Sequence, residues 1–295
     1  MIYRILGNSG IKVSELGFGC MSLKSDQSTN DRIIMNAADE GINFFDTADL
    51  YEHGGNEITV GKALKPFRKD IILATKAGNQ WKEDGSGWDW NPRKDYILKC
   101  AKESLIRLQT DYIDLYQLHG GTIDDQIDET VEAFEILKTE GLIRAYGISS
   151  IRPNVIREWI ERSDMTSNMM QYSLLDRRPE EACLELLGKK GIGVIARGVL
   201  AKGLLAGKLA SSYLNYSEDE VDSLITTMDR NPTSNATIAI KHVLSNPSLS
   251  TLAIGMGTQD QLSEILKAYY EQSNWKEFPQ SVLEVLAPNT YELHR

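Results

Sequence analysis

Six side chains that can ionise or hydrogen-bond each close a short apolar run. Asp46 follows INFF, Lys76 follows ILAT, His119 follows LYQL, Ser149 follows YGI, Gln171 follows NMM and Arg197 follows VIA. Gly255 follows LAI in the same way, and Tyr51 lies just beyond Asp46. A carboxylate, an ammonium, an imidazole and a phenol brought to one place are a set suited to moving protons. Singly, each has a plainer explanation. Asp46, opening DTAD, suits a helix N-cap; a lone lysine after a strand is usually surface; His119 before two glycines suits a turn; Tyr51 could simply pack. Chemistry requires convergence, and convergence depends on the elements that carry these residues.

The apolar runs are Leu16–Phe18, Ile42–Phe45, Ile71–Thr75, Ile113–Leu118, Ile143–Ile148, Ser167–Met170, Gly193–Ala196 and Leu249–Ile254. Between them lie stretches of helical period, such as Ile97, Ala101, Leu105 and Leu108 on one face, or Val131, Phe134, Ile136 and Leu137 on another. Eight strands alternating with helices predict a parallel sheet buried on both faces, and eight is the number that closes a barrel. The expectation is an α/β protein with the (β/α)8 TIM barrel fold. The alternative, an open doubly wound sheet, calls for GxGxxG at an early turn, where this chain reads GFGCMS. If the strands are right, the residues after each run ring one mouth of the barrel, the end where barrel enzymes place their chemistry. Residues 1–16 predict an N-terminal β-hairpin turning at Gly7–Gly10, and an extra C-terminal helix is expected at about Trp275 to Leu286. No linker divides the 295 residues, so one domain over 1–295 is expected.

Composition narrows the function. The chain is 41% apolar and 25% charged, with net charge −10 and scattered basic residues, which gives no footprint for nucleic acid. Cys20, Cys100 and Cys183 form neither a disulfide framework nor a zinc spacing, so no metal is expected. There is no signal-like N-terminus and no apolar run near the ~20 residues that span a membrane. A cytoplasmic protein without membrane or nucleic-acid partners is the expectation. Nothing sets an oligomeric state.

The motif Asp46-Thr-Ala-Asp-Leu-Tyr51, followed by Gly55-Asn56-Glu57 and Gly61-Lys-Ala-Leu64, resembles the aldo-keto reductase superfamily in its bacterial-type members. The resemblance continues in order through Ala74-Thr-Lys76, Asp114-Leu-Tyr-Gln-Leu-His119, Gly147-Ile-Ser-Ser150, Gln171-Tyr-Ser-Leu-Leu-Asp176 and Leu200-Ala-Lys-Gly-Leu-Leu-Ala-Gly-Lys208. It implies a catalytic tetrad of Asp46, Tyr51, Lys76 and His119, and NADPH, with NADH possible, extended across the barrel top. It places Ser149, Ser150 and Gln171 at the nicotinamide amide. The coenzyme's other contacts would come from Cys20, Met21, Asp46, Arg197, Gly198, Leu200, Lys202, Gly203, Lys208, Gly255, Gly257, Gln261 and Glu264. The segment 205–233, with weak helical pattern at Glu218 to Met228, would be a mobile cover over it. Trp81, Trp88 and Trp90, close together on a rim loop, would line an apolar pocket for a small-molecule carbonyl substrate, the alternative being that they merely pack on the rim.

The implied reaction suits these residue types. Hydride arriving at a carbonyl carbon leaves negative charge on oxygen, which needs an acid and fixed donors. An ordinary tyrosine, with pKa near 10, is a weak acid at neutral pH, and a neighbouring lysine makes it a better one. Asp46 would keep that lysine charged, and His119 would orient the substrate oxygen. Three departures stand out. After the eighth strand the family has a basic residue for the 2′-phosphate of NADPH, where this chain has Gly257 or Gln261; Ile265 replaces the usual Asn; and Arg197 stands where many members have a ring that stacks on the nicotinamide. Two rival readings stay open at this point. One is a coenzyme-binding regulatory subunit with little turnover; the other is a barrel isomerase using Asp46, Lys76 and His119 for acid–base work.

Overall fold

The structure is a computed structural model that describes residues 1–275 and 278–295. It opens with a hairpin of β1 (Tyr3–Ile5) and β2 (Lys12–Ser14), antiparallel with Arg4 opposite Val13. Eight parallel strands follow: β3 (Leu16–Gly19), β4 (Phe44–Asp46), β5 (Ile72–Ala77), β8 (Ile113–Leu118), β9 (Ile143–Ser149), β10 (Ser167–Gln171), β11 (Gly193–Arg197) and β12 (Leu249–Gly255). They close into a barrel in chain order, β12 pairing with β3. The ribbon that interrupts the numbering, β6 (Asn79–Trp81) with β7 (Trp88–Trp90), is antiparallel and stands after β5, where the sequence suggested only a loop.

All eight apolar runs are strands. Most extend one residue further than their apolar residues, so Asp46, Ser149, Gln171, Arg197 and Gly255 are last strand residues rather than the first of a loop. Backbone pairing does not stop where side chains turn polar. Inside the barrel, Phe44, Ala74, Leu115, Ala145, Met169, Ile195 and Ala253 pack together, and Leu6 and Val13 of the hairpin close the floor beneath them. Gly7 makes that closure possible. Its φ is +53°, and a Cβ there would run into the Thr166 carbonyl.

Helices return each strand to the floor and shield the outer face: α1 (Gln27–Asp39), α2 (Gly55–Leu64), α3 (Lys94–Leu108), α4 (Ile127–Thr139), α5 (Pro153–Arg162) and α6 (Cys183–Lys189) follow β3 to β10 in turn. Then α7 (Glu218–Asp229) and α8 (Asn235–Leu244) follow β11, and α9 (Gln259–Asn274) follows β12. Within 205–233, α7 begins at a capping box between Ser217 and Glu220. Its Val221, Leu224 and Met228 are buried with Tyr213, Tyr216, Leu174 and Leu175 in a second apolar cluster beside the barrel.

The C-terminal helix is shorter than expected. Residues 276 and 277 of the expected span lie outside the described residues, and the remainder yields one turn, α10 (Gln280–Leu283). Pro279 sits just before it; lacking an amide hydrogen, it cannot lie inside a helix running through from Trp275. Among the described residues no helix is long and apolar enough to cross a membrane.

Candidate active site

The barrel brings Asp46, Tyr51, Lys76 and His119 to one mouth. Neighbouring β4 and β5, paired with Asp46 opposite Ala74, place Asp46 beside Lys76. The Lys76 Nζ donates to Asp46 Oδ2 at 2.7 Å and to the Thr47 carbonyl at 2.7 Å. Both side chains are buried, Lys76 to 1% exposure and Asp46 to 5%. Tyr51 begins the short 3-10 turn that leads into α2, and the lysine nitrogen lies 5.3 Å from its ring centroid. His119, the first residue after β8, meets the same ring edge-on, with centroids 5.9 Å apart and planes at 83°. Directly beyond Tyr51, Glu52 and His53 both adopt left-handed backbone (φ 52° and 54°), a strained turn of the kind that clusters at functional sites.

A buried residue behind the mouth, Asn56, ties two of its walls together. Its Oδ1 accepts from Thr47 Oγ1 at 2.6 Å, and its Nδ2 donates to the Cys20 carbonyl at 2.9 Å. Thr47 is the residue whose carbonyl holds Lys76, so α2 braces both the lysine and the loop after β3. The motif containing Asn56 was visible in the sequence, but not this role.

A cleft of about 1270 Å³ runs across the strand ends. Met21, Asp46, Ser149, Ser150, Gln171, Arg197, Gly198, Leu200, Lys202, Gly203, Lys208, Gly255, Gly257, Gln261 and Glu264 all line it, with Tyr51, Lys76, His119 and Trp90. Cys20 does not; it is fully buried behind the wall. Nor do two of the three indoles. Trp81 stacks on His53 (centroids 3.7 Å apart) beside a separate small hollow, and exposed Trp88 meets Trp81 edge-on. Trp90 alone reaches the cleft, its Nε1 donating to Asp125 Oδ1 at 2.9 Å.

The cleft also holds residues the sequence did not single out: Ser22, Lys24, Asn79, Arg152, Tyr213 and Thr258. Gln171 is held by several partners at once. Its Nε2 donates to Asp176 Oδ2 (2.9 Å) and to the Tyr213 hydroxyl (3.0 Å), while its Oε1 accepts from Arg197 Nη1 (3.2 Å). At the opposite end, Ser22 packs so closely on the turn after β12 that a Cβ at Gly255 or Gly257 would collide with its hydroxyl or carbonyl. That turn leads to the N-terminus of α9, where Thr258 caps the helix and Gln261 Oε1 accepts from the Gly257 amide at 2.8 Å. Among the described residues no cluster of three His, Cys, Asp or Glu side chains could hold a metal.

Comparison with known proteins agrees with this architecture. The model of the Aldo/keto reductase family matches residues 15–281. An uncharacterized oxidoreductase of Bacillus subtilis, YqkF, is 46% identical and covers 99% of both chains. The NADH-specific methylglyoxal reductase of Escherichia coli is 31% identical over 71% of this chain and 70% of its own. The holo form of the aldo-keto reductase AKR11C1 from Bacillus halodurans superposes with a TM-score of 0.93 at 48% identity, covering 100% of this chain and 99% of that one.

The electrostatics follow from burial. Burial works against the Lys76 charge, but the Asp46 carboxylate and the Tyr51 oxygen outweigh it and hold the lysine above its ordinary pKa. Burial also pushes the Asp46 carboxyl up, with the Lys76 ammonium opposing. His119 is pushed down to about 3, by burial first and then by the charges of Lys76 and Arg197, so it is a neutral imidazole at physiological pH. Asp49, with Oδ1 buried and unpartnered, is raised to about 7 by burial and by the charge of Glu57.

These two groups oppose each other in folding stability. Between about pH 6.5, the ordinary histidine value, and about pH 4, the unfolded chain protonates His119 while the folded chain does not. The stability from its neutral form is therefore present above pH 6.5 and lost as pH falls. Asp49 behaves oppositely: the folded chain keeps a proton there that the unfolded chain releases. A His119→Asn variant removes one side of this balance. The unfolding free energy of the parent minus that of the variant should rise with pH by about 1.4 kcal/mol per unit across this window. Denaturant titrations at several pH values measure it; a constant difference would mean that His119 is not held neutral.

Proposed function

The chain belongs to the aldo/keto reductase family, and from that premise we propose that it reduces the carbonyl of an aldehyde or ketone with a nicotinamide coenzyme, Tyr51 supplying the proton. Membership makes it an oxidoreductase of the family's general type. The observation that carries the finer reading is the buried Lys76–Asp46 pair packed against Tyr51, beside a histidine that is neutral.

The cleft suits an extended dinucleotide. At one end stand Ser149, Ser150 and Gln171. Behind the lining, fully buried Asn168 steadies them, its Nδ2 donating to the Ser150 carbonyl. From Gly198 to Gly207 the backbone enters the left-handed region at Gly198, Ala201, Lys202, Gly203 and Gly207. Turns of this kind point successive N–H groups into concavities that bind anions, and Lys202 and Lys208 stand on them as phosphate partners. The close approach of Ser22 to Gly255 and Gly257 builds the far end, at the N-terminus of α9.

When bound, a reduced nicotinamide supplies the hydride. The protein's own task is the oxygen. A neutral His119 is a poor proton source but a good hydrogen-bond donor, so it orients the carbonyl and stabilises charge developing on it. Lys76, pinned by Asp46 and Thr47, is not free to act as the acid itself. That leaves the Tyr51 hydroxyl to give the proton, with the fixed ammonium stabilising the phenolate left behind.

Replacing Tyr51 with Phe keeps the ring and removes the proton. kcat should fall by at least the ~10²–10⁴-fold typical of general acid–base catalysis, with little change in coenzyme affinity. Near-parental turnover in Tyr51→Phe would sink the assignment of the acid.

Coenzyme choice forms the second prediction. The turn after β12 offers no cation, and Gly257 has no room for one because the Ser22 carbonyl occupies its side-chain space. Lys24, on the loop that packs against this turn, lines the same end of the cleft, and its backbone is held by Asn30 (Nδ2 to Lys24 carbonyl, 2.6 Å). NADPH is therefore the expected coenzyme, gripped at its 2′-phosphate by Lys24. NADH should bind within about a hundredfold of it, since a single charge-assisted hydrogen bond does no more. Lys24→Met should narrow that gap about tenfold in fluorescence titrations, chiefly by weakening NADPH. Unchanged affinities for both would remove Lys24 from the account.

A further inference from the structure

Six basic side chains and two acidic ones line the cleft of a chain whose net charge is −10. Five of the six have work in the reading above. Lys76 pairs with Asp46 and Arg197 hydrogen-bonds Gln171, while Lys24, Lys202 and Lys208 stand beside the turns read as phosphate seats. Arg152 is left over. It follows β9, on the side of the mouth walled by His119, Gly120, Gly121 and Thr122, next to the histidine proposed to orient the carbonyl.

The surroundings of Arg152 fix it without neutralising it. Its Nη1 donates to the Gly121 carbonyl at 2.6 Å, two residues beyond His119, and its own amide donates to Ser150 Oγ at 3.3 Å. The acid of that wall, Asp125, is committed elsewhere: it accepts from Trp90 Nε1 (2.9 Å), the Thr122 amide (2.7 Å) and the Thr122 hydroxyl (2.7 Å). Among the described residues Arg152 forms no salt bridge, and it is half-buried. A guanidinium carries five N–H donors in a fixed fork, and one bond to a neutral carbonyl leaves most of them unmatched. A partly desolvated cation held rigid beside a catalytic mouth is arranged for an anion.

We infer that Arg152 reads an anionic group on the substrate, so that the preferred substrates are aldehydes or ketones carrying a carboxylate or a phosphate. The inference rests on the reductase reading and names the substrate class of that site. The anion would bind at Arg152 while the carbonyl oxygen sits between Tyr51 and His119. Trp90, whose ring packs against Gly120, forms the apolar wall nearby.

The test compares kcat/KM for unbranched ω-oxo carboxylates of three to six carbons with aldehydes of the same length, and for glyceraldehyde 3-phosphate with glyceraldehyde. The parent should prefer the anionic member of at least one series by about ten- to a hundredfold, the range of one charge-assisted hydrogen bond. Whichever series shows the preference identifies the anion. Arg152→Met should collapse that ratio towards one, and Arg152→Lys should keep part of it, since the charge stays and the fork is lost. The ratio within one variant cancels any general loss of folded enzyme. A parent without preference, or a ratio unchanged in Arg152→Met, overturns the inference and leaves the reductase reading intact. A parent that binds coenzyme but reduces none of these carbonyls overturns both.

Discussion

The structure is organised around one buried ammonium. Lys76 lies at 1% exposure among strand ends, where a lone cation would lose its proton or unfold the site. Asp46 and the Thr47 carbonyl answer it at 2.7 Å each. Breaking such a buried pair from one side typically costs about 3–5 kcal/mol, so the pair must be assembled accurately or not at all. A parallel barrel does this, because β4 and β5 are neighbours in fixed register and their C-terminal ends open on the same mouth. The hairpin floor, the filled barrel interior and the helix layer all serve to keep those two strand ends together.

From that pair outward, a chain of contacts ties the buried charge to the walls of the cleft. Asn56 grips Thr47 on one side and the Cys20 carbonyl on the other, so α2 braces Lys76 and the loop after β3 with a single side chain. Next along α2, buried Glu57 accepts from Thr75, the residue before Lys76, at 2.6 Å and from Arg107 at 2.6 Å. Helix α2 therefore acts less as a shield for the sheet than as a bracket for the C-terminal end of β5. At the other side of the mouth, Arg197 and Tyr213 steady Gln171.

Much of this was legible in the sequence because it is local. The eight apolar runs mark the strands, and the polar residue ending each run marks the mouth, so the fold and the places of Asp46, Lys76 and His119 followed from order and spacing; their grouping with Tyr51 came from the family resemblance. What depended on distant partners was not legible. Tyr213 bonds Gln171 and Arg152 bonds Gly121 across long stretches of chain, and Lys24 lines the far end of the cleft; no local period signals any of them. Of the three tryptophans, Trp81 and Trp88 fall outside the cleft for a geometric reason. They sit on a two-stranded ribbon, and each two residues of strand carry a side chain about 7 Å further from the base; Trp90 at the base lines the cleft, while Trp88 and Trp81 stand outside it. The expected C-terminal helix is present but shorter, α10 starting after Pro279, a residue whose meaning was local but which helical periodicity alone overlooks.

The central claim is that Lys76, kept charged by Asp46, makes Tyr51 a competent acid. The most direct measurement is kcat in the Lys76→Met, Asp46→Asn double variant beside its affinity for the coenzyme; the double change removes both charges and leaves no unpaired carboxylate to unfold the site. The account predicts a rate at least about a hundredfold lower, with the coenzyme still bound. A double variant that turns over at close to the parental rate would contradict it, because the ammonium would then have no hold on the group that gives the proton.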